Sequence, residues 1–200
     1  MDIVTQQFFS AAVSYAMNEN HETMTKDLPA YCLKLKKKTK KGGQGWLANG
    51  TYNTIHSQYD LLTDKTFEDL NNWVFQKIGD YMKCNFIKSN VIPMNAWFNL
   101  YNKGDYQEFH LHTGSVLSAI YFLKSPKGGS KVWFKAPMED MLELQYFKND
   151  PYAPILHDSN EGKLIIFRSH INHAVEQHKL KEPRISLAYN FKMAPALNKN

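Results

Sequence analysis

The spacing of apolar residues along this chain changes near residue 90 from a helical period to a strand period. Before that point, residues 5–18 and 66–82 carry apolar side chains three and four positions apart, which predicts two amphipathic helices. After it, short apolar runs alternate with Gly, Pro and Asn, which is typical of strands joined by turns. We predict these strands over 93–101, 106–112, 116–123, 131–135, 163–168 and 184–191.

Several short strands at this spacing favour a sandwich or a barrel. The predicted fold class is therefore mainly β with N-terminal helices (α+β). No internal repeat or linker divides the sequence. We expect one domain over residues 1–200, in which residues 1–90 give helical support and residues 91–195 form the β core.

Composition favours a folded, intracellular protein. The chain has 200 residues, 43% of them hydrophobic, which is enough to bury a core. No stretch approaches the roughly 18 consecutive apolar residues of a membrane span, and the N-terminus lacks the basic region of a secretory signal. Two cysteines are too few for a disulfide framework. We therefore expect a cytoplasmic location and no membrane contact.

The net charge of +5 comes from one segment. Without its six lysines, 18 basic residues face 19 acidic ones. Three glycines follow within four positions, so we expect residues 34–45 to form a basic loop. A polyanion such as nucleic acid is one candidate partner, and a solvated loop is the alternative. The lysines of this cluster are Lys34, Lys36, Lys37, Lys38, Lys40 and Lys41.

Two histidines one residue apart, His110 and His112, are the first candidates for metal ligands. On a strand, residues i and i+2 project to the same face, so both imidazoles would enter one space. A third histidine, His173, follows a second predicted strand 61 residues after His112. Two ligands from one strand and a third from another indicate a mononuclear metal site in a barrel. Without the third histidine, the pair would be explained more simply as two surface histidines.

Arginine is scarce, because only Arg168 and Arg184 stand beside 22 lysines. Arg184 opens the last predicted strand eleven residues after His173, and Ser186 shares its face. The planar guanidinium grips a carboxylate through two parallel charge-assisted hydrogen bonds, which lysine cannot do. The scarcity of arginine makes a carboxylate-binding role for Arg184 one hypothesis, and an ordinary surface arginine is the alternative.

Four segments together resemble a known family: residues 44–62, 95–123, 162–175 and 182–191. They are similar to the phage-type 2-oxoglutarate/Fe(II)-dependent oxygenases. The resemblance implies a double-stranded β-helix (jelly-roll) core and an oxidoreductase that uses Fe(II), 2-oxoglutarate as cosubstrate, and O₂. It also implies a dioxygenase, most simply a hydroxylase, that acts on an unknown prime substrate in the cytoplasm of a bacteriophage host.

The resemblance also assigns roles to residues. It places His110, His112 and His173 at the metal, and Arg184 with Ser186 at the cosubstrate. Further cosubstrate candidates are Ser118 and Tyr121, which lie on opposite faces of one strand, and the candidates for the pocket or its surroundings are Glu108, Asn99, Tyr101, His170 and Arg168.

The chain departs from the usual iron site of two histidines and one carboxylate. His112 stands at the carboxylate position, so the site holds three histidines or recruits Glu108, which precedes His110 by two residues. Two other classes stay open. A cupin-like metal protein would not need Arg184, although the glutamate that cupins place after this histidine pair is absent. A polyanion-binding module would use the lysine cluster and ignore metal.

Overall fold

The computed structural model describes residues 12–43, 46–48, 50–135 and 155–195. Its α-helices are α1 (His21–Met24), α2 (Leu28–Lys38) and α3 (Glu68–Cys84). Its strands are β1 (Val13–Met17), β2 (Tyr52–Asn53), β3 (Val91–Tyr101), β4 (Gln107–His110), β5 (Leu117–Lys124), β6 (Val132–Phe134), β7 (Ile155–His157), β8 (Lys163–Arg168), β9 (His173–Val175) and β10 (Arg184–Met193). The predicted mainly β fold with N-terminal helices is confirmed.

The strands form two antiparallel sheets. The larger, six-stranded sheet has the order β1-β8-β5-β10-β3-β2, and the smaller, four-stranded sheet has the order β4-β9-β6-β7. An apolar cluster with members from both sheets fills part of the space between them, including Phe122, Phe134 and Phe167. The other face of the larger sheet packs against the helices.

Helix α3 covers that outer face because its apolar residues recur at the helical period. Leu70, Val74 and Ile78 are buried in one cluster with residues of β5 and β10. A 3₁₀ turn over Lys65–Phe67 precedes the helix, and the Asp64 carboxylate accepts a hydrogen bond from its backbone. The helix predicted over residues 66–82 is confirmed.

The helix predicted over residues 5–18 is wrong where it can be compared with the structure. Val13–Met17 form strand β1, which pairs with β8 at the edge of the larger sheet. The remainder of that prediction, up to residue 11, lies outside the described residues. The hydrogen bonds offered by the free edge of β8 outweigh a weak helical period in a run that contains Val13 and Tyr15, both good strand formers.

The basic loop predicted over residues 34–45 is also wrong in part, because helix α2 continues to Lys38. Leu28 and Cys32 are buried, and Tyr31 and Leu35 pack against the same core. This apolar stripe at helical spacing anchors the helix, while Lys34, Lys37 and Lys38 are exposed to solvent. Residues 44 and 45 lie outside the described part of the chain.

All six predicted strands are present, with ends within three residues of the predicted ones. The strands that the sequence did not predict besides β1 are β2, β7 and β9, which contain two or three residues each. So short a strand carries no alternation of its own. Among the described residues, no helix has both the length and the apolar character needed to cross a bilayer.

Candidate metal and cosubstrate site

A cavity of about 280 Å³ opens between the two sheets. The smaller sheet contributes His110 from β4 and His173 from β9 to its lining. The larger sheet contributes alternate residues of β3 and β10, including Arg184 and Ser186. The predicted metal ligands and the predicted carboxylate-binding residues therefore share one cavity.

The three histidines form a compact cluster. One ring nitrogen from each of His110, His112 and His173 lies within 4.8 Å of the other two. The ring centroids of His110 and His173 are 4.2 Å apart, and those of His110 and His112 are 5.3 Å apart in a stacked arrangement. Pairing of His110 with His173 across β4 and β9 brings the distant histidine into place.

Each imidazole makes a hydrogen bond that determines which of its nitrogens carries the proton. Nδ1 of His110 donates to the backbone carbonyl of Glu108 at 2.8 Å, and Nδ1 of His173 donates to that of Ile171 at 3.0 Å. Nδ1 of His112 donates to Oδ1 of Asn190 at 2.6 Å. All three rings thus keep Nε2 as a free lone pair, which is the tautomer that a metal requires.

The electrostatics of the cluster keep the imidazoles neutral. Burial lowers the pKa of His112 to about 4 and holds the pKa of His173 well below its ordinary value. Burial also lowers the pKa of His110, although the nearby Glu108 opposes this. Neutral imidazoles are the form that binds a metal ion, so no proton has to leave at pH 7.

Asn190 joins His112 to a small polar network. Oδ1 of Asn190 also accepts a hydrogen bond from Oγ of Ser118 at 2.8 Å. Ser118 in turn contacts Oγ of Ser169 at 2.9 Å. This network fixes the orientation of the histidine that stands where related iron sites have a carboxylate, and it places Ser118 behind His112 rather than in the cavity lining.

Arg184 is fully buried, with an exposed fraction of 0%. Its Cζ lies 4.7 Å from the ring centroid of Tyr101 and 5.0 Å from that of Phe122. None of its three guanidinium nitrogens has a hydrogen-bond partner among the described residues. A buried cation without an anion is costly, and burial lowers the pKa of Arg184 accordingly. An anionic ligand would therefore compensate the buried charge of Arg184 and accept its hydrogen bonds.

Of the remaining candidates, Asn99 and Tyr101 line the cavity beside Arg184 and Ser186. Their strand, β3, pairs with β10 so that Tyr101 lies opposite Arg184 and Asn99 opposite Ser186. The Oδ1 atom of Asn99 accepts a hydrogen bond from the indole of Trp97 at 3.2 Å. These residues surround the position that the anion would take.

The Glu108 carboxylate, a possible substitute ligand from its spacing, is not part of the histidine cluster, although the backbone carbonyl of Glu108 accepts a hydrogen bond from His110. Gln107 pairs with Val175 and His110 with His173, so β4 has one more residue than β9 between these pairs. Such a bulge breaks the alternation of side chains. Gln107 and His110 therefore both line the cavity, while the Glu108 carboxylate binds the backbone of Leu47 and Ala48.

Three further candidates lie outside the cavity. The side chain of Tyr121 faces the helices, where its hydroxyl group contacts Nδ1 of His21 at 2.7 Å. His170 is exposed to solvent. Arg168 lies near Tyr81 and partly opposes the rise in the pKa of Tyr81 that burial causes. None of the three lines the cavity or belongs to the histidine cluster.

The residues in contact with the histidines that sequence reasoning missed include Asn190 and Trp46. Asn190 lies six positions after Arg184 on β10, so strand alternation alone puts both on the cavity face. Trp46 stands in a glycine-rich segment without periodicity, and nothing in the sequence connects it to His110. Its ring centroid nevertheless lies 5.1 Å from that of His110.

Comparison with known proteins identifies the class. Residues 95–190 match the family model described as "Putative 2OG-Fe(II) oxygenase". The match runs from β3 into β10 and includes the three histidines, Arg184 and Asn190. A search among curated protein sequences finds no significant match.

Solved structures share the fold over nearly the whole chain. A prolyl-4-hydroxylase from Pseudomonas putida has a TM-score of 0.65 at 16% identity, covering 92% of this chain and 94% of its own. A Trichoplax adhaerens prolyl hydroxylase in complex with a hypoxia inducible factor peptide fragment has a TM-score of 0.65 at 13% identity, covering 90% and 83%. The α-ketoglutarate-dependent epimerase SnoN from nogalamycin biosynthesis has a TM-score of 0.63 at 12% identity, covering 91% and 76%.

These structures confirm that the two sheets form a double-stranded β-helix. The chain carries a 2OG-Fe(II) oxygenase domain, which the family model matches over residues 95–190. It is therefore an oxidoreductase whose family uses Fe(II), 2-oxoglutarate and O₂. The phage origin stays a prediction.

Proposed function

We propose that this enzyme is a 2-oxoglutarate-dependent dioxygenase in which His110, His112 and His173 hold Fe(II). Arg184 and Ser186 bind the far carboxylate of 2-oxoglutarate, and the product is a hydroxylated prime substrate. The observation that carries the proposal is the buried, unpartnered guanidinium of Arg184 in the same cavity as the three histidines. A cupin-like metal site has no use for such a cation.

The residues of the cavity suit both Fe(II) and 2-oxoglutarate. Three neutral imidazoles with free Nε2 atoms offer a set of ligands that Fe(II) accepts. With no carboxylate among them, they leave both positive charges of the ion uncompensated. One carboxylate of 2-oxoglutarate would compensate one of these two charges, and the other carboxylate would compensate the charge of Arg184. A three-histidine site thus depends more strongly on its cosubstrate than a site with a carboxylate ligand.

When bound, Fe(II) supplies the activation of O₂ for substrate oxidation, coupled to the conversion of 2-oxoglutarate into succinate and CO₂. The chain contributes orientation and shielding. Arg184 fixes the far end of the cosubstrate through its planar donors, and Ser186 donates beside it. Ile120, Val175 and Ala188 line the cavity with apolar surface that excludes water from the reacting atoms.

A peptide is the first substrate class to test, because two of the three structural neighbours described above are prolyl hydroxylases and one of these was solved with a peptide fragment. The epimerase in the same fold is a reminder that the fold alone does not determine the reaction. Hydroxylation is accordingly the outcome we propose rather than a consequence of the architecture.

The lysine cluster provides a separate candidate function. Lys34, Lys37, Lys38 and Lys40 are exposed, and within the described ranges none of them forms an ion pair. None of the six lysines lines the cavity. A polyanion bound here would act independently of metal, so its affinity should fall steeply with salt and stay the same when metal is removed. Affinity for single-stranded DNA that requires metal would contradict this role.

The direct test is succinate formation after anaerobic reconstitution with Fe(II) and 2-oxoglutarate, followed by addition of O₂. We expect Arg184→Ala to lose at least about 100-fold in rate, since each charge-assisted hydrogen bond contributes about 1.5–3 kcal/mol. We expect a comparable or larger loss for His173→Ala, because the proposed metal site loses one of its three ligands. The matched controls are His170→Ala and Arg168→Ala, which remove residues of the same types outside the cavity. Equal turnover by Arg184→Ala and Arg168→Ala would refute the assignment.

A further inference from the structure

The segment Trp46–Ala48 lies directly beside the histidine cluster. Trp46 lines the cavity, and its ring meets the His110 imidazole edge-on at an interplanar angle of 76°. Leu47 points outward with an exposed fraction of 81%, whereas Ala48 is buried. Trp46 is therefore placed at the metal cluster by the backbone that follows it.

Glu108 holds this backbone. One oxygen of its carboxylate accepts a hydrogen bond from the amide of Leu47 at 2.7 Å, and the other accepts one from the amide of Ala48 at 3.2 Å. The Gln107 side chain donates to the second oxygen at 3.0 Å. Hydrogen bonds to an ionised acceptor are the stronger kind, so a single side chain fixes two successive peptide units.

Neighbouring contacts continue the attachment toward β2. The hydroxyl group of Thr51 donates to the backbone carbonyl of Tyr106 at 2.7 Å. Gly50 approaches the Asp105 carboxylate so closely that a Cβ atom would collide with it. The segment is thus fastened to the chain just before His110 at several points, of which Glu108 is the nearest to Trp46.

No carboxylate is among the described residues that line the cavity with Trp46. Ile55, Met94 and Leu111 line it together with carboxamide side chains and the exposed His56. Among the described lining residues, Arg184 is the single permanently charged one, and it belongs to the cosubstrate end in the proposed function. A charged substrate group at the metal would find no permanently charged counter-ion in this lining other than Arg184.

We propose that Trp46 is a specificity-determining residue that forms the substrate-facing wall of the metal site, and that Glu108 is the positioning residue that holds it there. The substrate group that reaches the metal is uncharged and packs against the indole. This inference rests on the proposed function, because it takes the three histidines as the metal site.

The test uses the full-length protein labelled with 5-fluorotryptophan and observed by ¹⁹F NMR. Trp46→Phe, Trp97→Phe and Trp133→Phe assign the resonances. Paramagnetic Co(II) should broaden the signals of Trp46 and Trp97, because the Trp97 ring centroid lies 5.6 Å from that of His112. Trp73, which contacts Tyr121 on the outer face, should be broadened least.

Glu108→Ala should shift the Trp46 signal toward that of a solvent-exposed tryptophan and abolish its broadening by Co(II). Glu108→Gln, which keeps one acceptor oxygen, should give a partial shift, and the exposed Glu19→Gln should give none. Broadening of Trp97 should persist in all three variants. A Trp46 signal that ignores both Glu108 variants would overturn the positioning role.

The same spectra separate failure of the inference from failure of the proposed function. If Co(II) broadens the Trp97 signal of wild type and leaves the Trp46 signal sharp, the histidine cluster is confirmed as the metal site and the role of Trp46 as its wall is wrong. If neither signal responds, the histidine cluster is not the metal site.

A probe series tests the uncharged character of the wall. With Co(II) and 2-oxoglutarate present, benzyl alcohol should shift the Trp46 resonance, whereas benzoate and benzylamine at the same concentration should not. Equal shifts from the charged probes, or no shift from the alcohol, would contradict the proposed specificity.

Discussion

The two faces of strand β10 have different roles: one packs in the apolar core, and the other lines the cavity. Ile185, Leu187 and Phe191 point outward into the cluster that helix α3 covers. Arg184, Ser186 and Asn190 point inward to the cavity. The outer face is apolar and densely buried, so it stabilises the fold. The inner face carries polar groups that lack protein partners or that orient a histidine, so it lowers stability in exchange for binding.

The largest effect should come from the outer face. Leu187→Ala removes a fully buried side chain and should lower the free energy of unfolding by about 2–5 kcal/mol, as measured by urea denaturation. The folded fraction should bind metal and 2-oxoglutarate as tightly as wild type does. The matched inner-face change Ser186→Ala should barely alter stability and should weaken 2-oxoglutarate binding roughly tenfold. Reversed effects of the two variants would contradict the division between the faces.

Arg184→Met should raise the free energy of unfolding, in contrast to Leu187→Ala, which should lower it. The variant replaces a buried cation that has no hydrogen-bond partner among the described residues by an apolar side chain of similar length, so the protein free of cosubstrate should become more stable by about 1–4 kcal/mol. Wild type with metal should gain thermal stability on addition of 2-oxoglutarate, and Arg184→Met should not. A variant less stable than wild type would show that Arg184 serves the fold.

Asn190→Ala should affect metal binding most. It removes the acceptor that fixes the proton of His112 on Nδ1, and changes of this kind weaken metal affinity by about 10–100-fold. Titration with Co(II) measures the loss. Asn71→Ala is the control on the outer side, where Asn71 accepts a hydrogen bond from the Tyr189 hydroxyl group. That variant should lose stability and keep its metal affinity, and a comparable loss of metal affinity in both would remove the special role of Asn190.

The inner face was largely predictable from the sequence. Strand alternation, a pair of histidines and a rare arginine were enough to bring His110, His112, His173 and Arg184 to attention, and the structure puts them in one cavity. These signals work because the two-residue period of a strand is rigid. The same rule could have identified Asn190, which shares the face of Arg184.

Irregular backbone accounts for what could not be predicted. The bulge in β4 turns the Glu108 side chain away from the histidine cluster, and no residue type in this segment predicts a bulge. Trp46 reaches the site only through tertiary contacts of a glycine-rich segment. Strand β1 forms because its backbone pairs with the edge strand β8. Helix α2 forms because a narrow apolar stripe between its lysines packs against the core.

The most direct test of the central claim is calorimetric titration of 2-oxoglutarate into the protein with and without Co(II) under anaerobic conditions. The account predicts binding of one molecule that requires the metal and is lost in both His173→Ala and Arg184→Ala, with His170→Ala and Arg168→Ala behaving as wild type. Binding that is equally tight without metal, or that survives Arg184→Ala, would contradict a cosubstrate held between the three histidines and Arg184.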